Sequence, residues 1–216
     1  MLTDSPGAAK LQALLKQARL INGEAMASSV ETQQNRILNA AKLCFQKRGL
    51  AHTTMRDIAA EADMSLGNIY RYFKNKRALI QAFTTVDAQE MADAFALLDS
   101  TTDFKGLLRA IAKEMIESLS GKAELLIYID MLSEALRDGE LLALLNIDGD
   151  EETLARSLAK AEKEKRIKLA LPPNLVALGV IAFIENVALK CIVNKTFSEK
   201  MANKHLKKYL DVLIID

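Results

Sequence analysis

Apolar residues recur at helical spacing along almost the whole chain, and no segment shows the alternation of apolar and polar residues that is typical of a strand. Only three prolines and nine glycines interrupt the 216 residues, which favours long helices over many short strands. The sequence contains no internal repeat and no low-complexity tract. We therefore predict an all-α protein.

The basic residues are concentrated in one short part of the chain. Residues 31–83 contain nine Lys or Arg and four Asp or Glu, whereas residues 84–216 contain 17 and 22. Because a polyanion attracts such a segment, this distribution indicates a small basic module ahead of an acidic remainder. The asymmetry alone identifies no partner, and a motif is needed to interpret it.

The cysteine and histidine patterns argue against a metal or redox site. Cys44 and Cys191 lack metal-ligand and redox spacing, and neither His52 nor His205 has a ligand-type residue at metal-binding spacing. The chain also lacks a nucleophile elbow, paired histidines and a Gly-rich phosphate loop, so we expect no enzyme activity, no cofactor and no metal. With no signal-peptide pattern at its start, the protein is expected to be cytoplasmic.

Two short helices joined by a tight turn are predicted in the basic module. Thr54 is a good N-cap, Asp63 stands where a left-handed residue would end the first helix, and Ser65 caps the second. The chain breaks again at Lys74, after which Asn75 can cap a longer helix. Two short helices with a turn of about three residues between them form the helix-turn-helix pattern.

The segment TTMRDIAAEADMSLGNIYRYFKNKRALIQAF resembles the DNA-binding module of the tetracycline-repressor (TetR) family of bacterial regulators. The residues that carry the resemblance are Thr54, Ile58, Ala59, Ser65, Gly67, Ile69, Tyr70, Tyr72, Phe73 and Lys76. The resemblance is strong over about a quarter of the chain, from Asn35 to Phe83. One departure is Asp63, which occupies a turn position where the family usually has Gly.

The resemblance implies that the second short helix enters the major groove of DNA. Asn68 would pair with an adenine edge, Leu66 would touch a thymine methyl, and Gly67 would let the backbone approach the DNA closely. The tyrosine hydroxyls and the Lys76 ammonium would contact phosphates. The full set of expected DNA-contacting residues is Thr54, Arg56, Ser65, Leu66, Gly67, Asn68, Tyr70, Arg71, Tyr72 and Lys76. The alternative interpretation is that Tyr70 is a core residue and the basic side chains are solvated.

We expect three parts along the chain: an N-terminal extension at residues 1–27, a helix-turn-helix DNA-binding domain at 28–75, and a helical ligand-binding and dimerisation domain at 76–216. Within the last part, the segment from Leu125 to Leu132 is apolar nearly all round and is expected to be buried on several sides.

Two prolines divide the later helices. A charged amphipathic helix is expected to reach Pro172, and Pro173 can open the next helix, which extends to about Asn194. This second helix is the most apolar stretch of the chain. Because Glu185, Asn186 and Lys190 interrupt it, we expect it to pack against protein rather than cross a membrane.

The resemblance implies three partners: a palindromic double-stranded DNA operator, a small-molecule effector held among the central helices, and a second copy of the chain. Few polar groups lie in the apolar helices, and those near the middle of the chain are candidates to orient a ligand. The candidate ligand-binding residues are Tyr128, Asp130, Met131 and Glu134. The candidate dimer-interface residues are Ala182, Ile184, Glu185 and Leu189.

These expectations describe a sequence-specific transcriptional regulator, a repressor released from its operator by a small, largely apolar ligand. One alternative is a TetR-like DNA-binding protein that a protein partner controls or that acts without an inducer. Two other classes are an all-α enzyme or ligand carrier, which no motif supports, and a helical scaffold that recognises protein. The scaffold would leave the basic module unexplained.

Overall fold

The computed structural model describes residues 29–145 and 148–215, so the predicted extension at 1–27 lies outside the described residues. The helices are α1 (Ser29–Arg48), α2 (Met55–Glu61), α3 (Leu66–Tyr72), α4 (Lys76–Ala96), α5 (Phe104–Leu119), α6 (Lys122–Ala135), α7 (Gly139–Leu145), α8 (Gly149–Lys163), α9 (Pro173–Val193) and α10 (Glu199–Leu213). A 3₁₀ turn, Leu97–Asp99, follows α4. The all-α prediction is confirmed.

The described helices form two compact units, and α4 runs from one to the other. The first unit consists of residues 29–87 and 123–145, and the second of residues 88–122 and 148–215. The division of the chain into three parts expected from the sequence stays a prediction.

The first unit is built on a buried core beneath α1, α2 and α3. Gly49 ends α1 with a positive φ of 78°, and its N–H donates to Phe45 O at 2.8 Å. This turn carries the Leu50 side chain into the core, where it is 1% exposed. Other core residues of the unit are Ile37, Ala41, Cys44, Phe45, Ile58, Ile69, Phe73, Leu79 and Ile80.

Helices α6 and α7 belong to the first unit although they lie far along the chain. Ala135 and Leu141 are buried in the same core as α1–α3. The guanidinium of Arg77, at the start of α4, pairs with Asp138 and with Glu140, so α4 and α7 are joined by ion pairs as well. Local sequence patterns do not indicate this arrangement, because it depends on contacts between residues about 60 positions apart.

The expectation that residues 125–132 are buried on several sides is wrong. Leu125 is buried, but Leu126 and Ile129 are 48% and 43% exposed. Ile127 and Met131 do pack on the core of the first unit. Helix α6 is therefore covered on one side only. Its apolar composition could not indicate which side that is.

The second unit contains α5, α8, α9 and α10, which pack on one another. Its most deeply buried residues include Phe95, Leu98, Leu107, Leu108, Ile111, Ile116 and Leu154. Two short strands, β1 (Lys168–Leu169) and β2 (Ile214–Ile215), pair in antiparallel fashion and join the α8–α9 connection to the end of the chain. We predicted no strand, because two-residue strands have no alternating pattern to detect.

Helix α8 ends at Lys163, whereas the sequence predicted a helix as far as Pro172. Lys165 adopts a positive φ of 59°, which turns the chain out of the helix. The Arg166 guanidinium then donates to Leu98 O at 3.0 Å, satisfying a carbonyl near the end of the 3₁₀ turn. Because this contact spans 68 residues, local sequence could not reveal it.

Helices α9 and α10 pack through a close aromatic contact. The rings of Phe183 and Tyr209 stack with centroids 4.7 Å apart and an interplanar angle of 10°. A Cβ placed on Gly179 would lie 2.5 Å from the Tyr209 hydroxyl oxygen, which is too close for two non-bonded atoms. Gly179 therefore leaves the space that the Tyr209 hydroxyl occupies.

We expect Gly179→Ala to lower the free energy of unfolding by roughly 1–2 kcal/mol, because the stacked ring must shift. In a Tyr209→Phe background, the nearest remaining atom is a ring carbon 3.7 Å away. There the same substitution should raise stability by up to about 1 kcal/mol, since Ala favours a helix over Gly. Urea denaturation of the four proteins measures both effects. The same sign in both backgrounds would contradict this packing.

Candidate nucleic-acid interface

Thr54 caps α2 through reciprocal hydrogen bonds with Asp57. The Thr54 hydroxyl donates to Asp57 Oδ2 at 2.7 Å, and the Asp57 N–H donates to the Thr54 hydroxyl at 3.2 Å. Bonds from the Thr54 hydroxyl and backbone, with the nearby Arg48 guanidinium, lower the pKa of Asp57. The predicted cap is confirmed. Because this hydroxyl is already engaged, a DNA contact from Thr54 stays a prediction.

The turn between α2 and α3 has the geometry expected from the sequence. Asp63 adopts a positive φ of 51°, in the left-handed region that Asp tolerates better than most residues. The Arg36 guanidinium lies 3.4 Å from Asp63 O and 3.5 Å from Asp63 Oδ2. Ser65 then caps α3, accepting the Asn68 N–H at 3.2 Å. Both predicted roles, for Asp63 and for Ser65, are confirmed.

Helix α3 has one face in the core and one in solvent. Ile69 is fully buried, while Leu66 and Tyr72 are half-buried and pack against the core of the first unit. Asn68 is also half-buried. The expected contact residues that are exposed on or beside α3 are Ser65, Gly67, Tyr70 and Arg71. The core thus sets the orientation of α3 and leaves its other face accessible.

Gly67 has no structural reason to be glycine within the described residues. A Cβ added there would meet no atom within 4 Å, and its φ is not in the left-handed region. Glycine costs about 1 kcal/mol relative to alanine inside a helix, and α3 is only seven residues long. Packing within the described chain therefore does not account for this glycine, which leaves the exposed face of α3 without a side chain at this position.

Basic side chains of α1 neutralise the acidic residues of α2. Lys47 pairs with Glu61 at 2.8 Å, and Arg48 pairs with Asp57 at 2.5 Å. Other basic residues of the first unit are exposed and have no polar partner within the described parts of the chain: Arg56, Arg71 and Lys74. The unbalanced positive charge of the helix-turn-helix therefore lies on and next to α2 and α3.

Lys76 occupies a position that the sequence did not indicate. Its Nζ donates to Leu50 O at 2.7 Å and lies 3.4 Å from Thr53 O and 3.5 Å from Ala51 O. The ammonium thus holds the carbonyls of the α1–α2 turn. Its expected phosphate contact stays a prediction, and any such contact would share an ammonium that already has three carbonyl neighbours.

The four candidate ligand-binding residues do not converge on a cavity in the described chain. Asp130 accepts the Leu50 N–H at 2.9 Å, and Met131 packs on the core of the first unit. Tyr128 is exposed and Glu134 is half-buried. Two open grooves, of about 290 and 250 Å³, lie elsewhere, one beside Cys44 and Glu61 and one beside Ala92 and Ser157. In the described residues, no group of three His, Cys, Asp or Glu side chains could hold a metal ion.

The candidate dimer residues divide between the surface of α9 and its buried side. Ala182, Glu185 and Leu189 are exposed, but Ile184 is 1% exposed and is part of the chain's own core. We therefore remove Ile184 from the candidate interface. Exposed apolar residues that the sequence analysis missed extend the same surface of α9: Leu175, Leu178 and Val193. Their spacing of three or four residues was the signal that could have identified them.

Of the described helices, α9 alone is long and apolar enough to cross a membrane, judged by length and composition. It has 21 residues and a mean hydropathy of 2.1, and 33% of its most apolar window is buried. Core helices of soluble proteins can have the same properties, so this is weak evidence for a membrane span.

Comparison with known proteins gives a consistent result. Residues 37–83 match the family profile described as bacterial regulatory proteins, tetR family. The uncharacterized HTH-type transcriptional regulator YfiR of Bacillus subtilis is 27% identical over 108 residues, which are 50% of this chain and 44% of YfiR. The HTH-type transcriptional regulator UidR of Escherichia coli is 24% identical over 173 residues, 74% of this chain and 85% of UidR. These relatives are transcriptional regulators and not enzymes.

The fold also matches a solved structure. The SmeT–triclosan complex aligns with a TM-score of 0.72 over 86% of this chain and 92% of SmeT, at 22% identity. SmeT is described as the repressor of the Stenotrophomonas maltophilia multidrug efflux pump SmeDEF. At this identity the likeness shows a shared fold.

Proposed function

We propose that this chain, a member of the TetR family of DNA-binding transcriptional regulators, is a cytoplasmic repressor that binds a palindromic operator as a homodimer and is released by a small, largely apolar ligand. The observation that carries the proposal is the exposed Gly67 in α3. An added Cβ there would meet no atom of the described chain, so this glycine leaves the exposed face of α3, beside the exposed Arg71, open to close approach by DNA.

In the proposed complex, the N-terminal turn of α3 enters the major groove, as in other helix-turn-helix proteins. Gly67 and Asn68 face the base edges, and Leu66 reaches a thymine methyl from its half-buried position. The buried Ile69 fixes the rotation of α3 on the core. The exposed face of α3 is therefore oriented before DNA binds, and little ordering of side chains is needed on association.

The exposed polar groups around α3 are suited to contact phosphates. Tyr70 is 47% exposed, and Arg56 and Arg71 have no polar partner within the described residues. In the proposed complex these three side chains bind the DNA backbone on either side of the groove. The main role of Lys76 in this proposal is indirect: its ammonium binds Leu50 O and so holds the turn that leads into α2.

A homodimer is proposed through the exposed surface of α9. Leu175, Leu178, Ala182, Glu185 and Leu189 follow one another at spacings of three or four residues, which is the spacing of a helix–helix seam. A two-fold interface would place one copy of this seam against the other. The dimer would then present two α3 helices to successive major grooves, roughly 34–36 Å apart.

An apolar effector is proposed from the composition of residues 103–145, in which 24 of the 43 residues are apolar and 16 are polar or charged. SmeT, which shares the fold, is a repressor whose solved complex contains triclosan. Of the four candidate ligand-binding residues, Tyr128 and Glu134 are retained for this role. Asp130 and Met131 are already engaged in the first unit.

We expect Gly67→Ala to have opposite effects on folding and on DNA binding. Stability should rise by up to about 1 kcal/mol, because alanine favours a helix and the added methyl meets no atom of the described chain. Binding to an operator selected from a random DNA pool should fall at least about tenfold, because the methyl collides with DNA. Thermal melting and fluorescence anisotropy measure the two effects.

The control is Gly139→Ala, at the exposed start of α7, where an added Cβ also meets no atom within 4 Å. This variant should leave operator affinity unchanged. If Gly67→Ala bound the operator as tightly as the wild type, α3 would not approach DNA in the proposed way.

We expect Ala182→Asp to convert the dimer to a monomer, because two unpaired carboxylates would be buried in the seam, at a cost of several kcal/mol. Sedimentation velocity should detect the change. Ala159→Asp adds the same charge at an exposed alanine of the charged helix α8 and should stay dimeric. A dimeric Ala182→Asp variant would place the interface elsewhere.

Triclosan is a suitable first probe of the ligand response. If it is an effector, calorimetric titration should show that it binds the free protein more tightly than the operator-bound protein, by the same factor by which it weakens operator binding. Equal affinity with and without operator would exclude triclosan as an inducer. Mass spectrometry of molecules that co-purify with the protein then supplies further probes. If every molecule so identified bound equally tightly with and without operator, control by a protein partner, or no inducer at all, would be favoured.

A further inference from the structure

The carboxylate of Asp130, on α6, lies directly against the turn between α1 and α2. Its Oδ2 accepts the Leu50 N–H at 2.9 Å. A Cβ placed on the neighbouring Gly49 would lie 3.1 Å from the same oxygen, so the carboxylate sits close to the backbone of this turn. The positive φ of Gly49, 78°, is the conformation that presents the Leu50 N–H to α6.

The other side of the same residue is held from α4. Lys76 Nζ donates to Leu50 O at 2.7 Å, so the N–H and the C=O of Leu50 are each bound by a charged side chain from a different helix. Thr53 adds a bond within the turn, from its hydroxyl to Gly49 O at 2.8 Å. Hydrogen bonds to ionised groups are stronger than those between neutral groups, so the turn is firmly positioned.

Helix α6 is itself anchored in the first unit. Ala135, at its end, is fully buried, and Ile127 and Met131 pack against the same core. Asp130 lies between these apolar contacts and supplies a polar link from α6 to the turn. A shift of α6 would therefore be transmitted to Leu50 through both packing and a hydrogen bond.

The turn leads directly to the helices that face DNA. Thr54 caps α2 immediately after the turn, and α3 follows α2 through the left-handed Asp63. Because α2 and α3 are short and share one core, a displaced turn must change their tilt relative to α1.

We propose that Asp130 is a positioning residue for operator binding: its bond to the Leu50 N–H ties α6 to the α1–α2 turn and sets the orientation in which α2 and α3 meet DNA. This inference deepens the proposed function and rests on it. The sequence suggested that Asp130 binds a small-molecule ligand. In the structure its carboxylate instead binds the backbone of the same chain.

The test compares variants at this one position. Asp130→Ala removes the acceptor and leaves the Leu50 N–H without its partner, so operator affinity should fall about tenfold in a protein that still melts cooperatively. Asp130→Asn keeps an oxygen acceptor of the same length and should bind within about twofold of the wild type. Asp130→Glu keeps the charge but lengthens the side chain by one methylene, and should bind several-fold more weakly because it pushes the turn away.

Two further measurements separate positioning from general effects. Asp148→Ala removes an exposed carboxylate that forms no side-chain cap bond, and it corrects for the change in net charge. Hydrogen exchange at the Leu50 amide reports the bond itself: exchange should be slow in the wild type and in Asp130→Asn, and fast in Asp130→Ala. Affinities are compared well below each melting temperature, so that loss of stability alone cannot lower them.

The outcomes are distinguishable from a failure of the proposed function. If the wild type selected no DNA sequence, the repressor proposal would fall, and with it the role of Asp130 in operator binding. If the wild type bound an operator and Asp130→Ala bound it equally tightly after the charge correction, the positioning role alone would be overturned. If Asp130→Ala fails to fold, the test falls to Asp130→Glu. Operator affinity equal to that of the wild type in this variant would overturn the positioning role.

Discussion

The burial of Leu50, Ile58 and Ile69 beneath α1 is the constraint on which the rest of the first unit depends. Helices α2 and α3 have only seven residues each, and isolated helices shorter than about 12–15 residues are marginal in water. Their shape therefore comes from the core and from their caps. Because one face of α3 is used in this way, its opposite face is presented to solvent in a fixed orientation, which is what a protein that reads a rigid duplex requires.

Local features of this unit could be predicted from sequence, and features that depend on distant contacts could not. The caps at Thr54 and Ser65 and the left-handed Asp63 were predicted correctly, because each depends on a few neighbouring residues. The exposed side of α6 and the end of α8 were predicted wrongly. Helix α6 contacts the α1–α2 turn, 80 positions away, through Asp130, and Arg166 after α8 contacts Leu98, 68 positions away. Hydrophobic periodicity does not report contacts of this kind.

The candidate site shows the same division. The sequence placed Gly67, Tyr70 and Arg71 on an exposed surface that the resemblance to a known family assigned to DNA, and the structure exposes all three. It gave no indication that Lys76 and Asp130 bind the two sides of Leu50. A lysine and an aspartate look alike in sequence whether they contact a ligand or a backbone turn, and only the fold separates the two roles. On α9, a buried Ile184 beside an exposed Ala182 illustrates the same point.

The central claim is that the first unit binds duplex DNA through its unpaired basic residues. The most direct measurement is the affinity for an operator selected from random DNA, determined by fluorescence anisotropy at several salt concentrations. Because each phosphate contact releases a counterion, we predict that affinity falls about a thousandfold or more between roughly 50 and 200 mM salt. Affinity that does not change with salt, or no binding to duplex DNA at any salt concentration, would contradict the account.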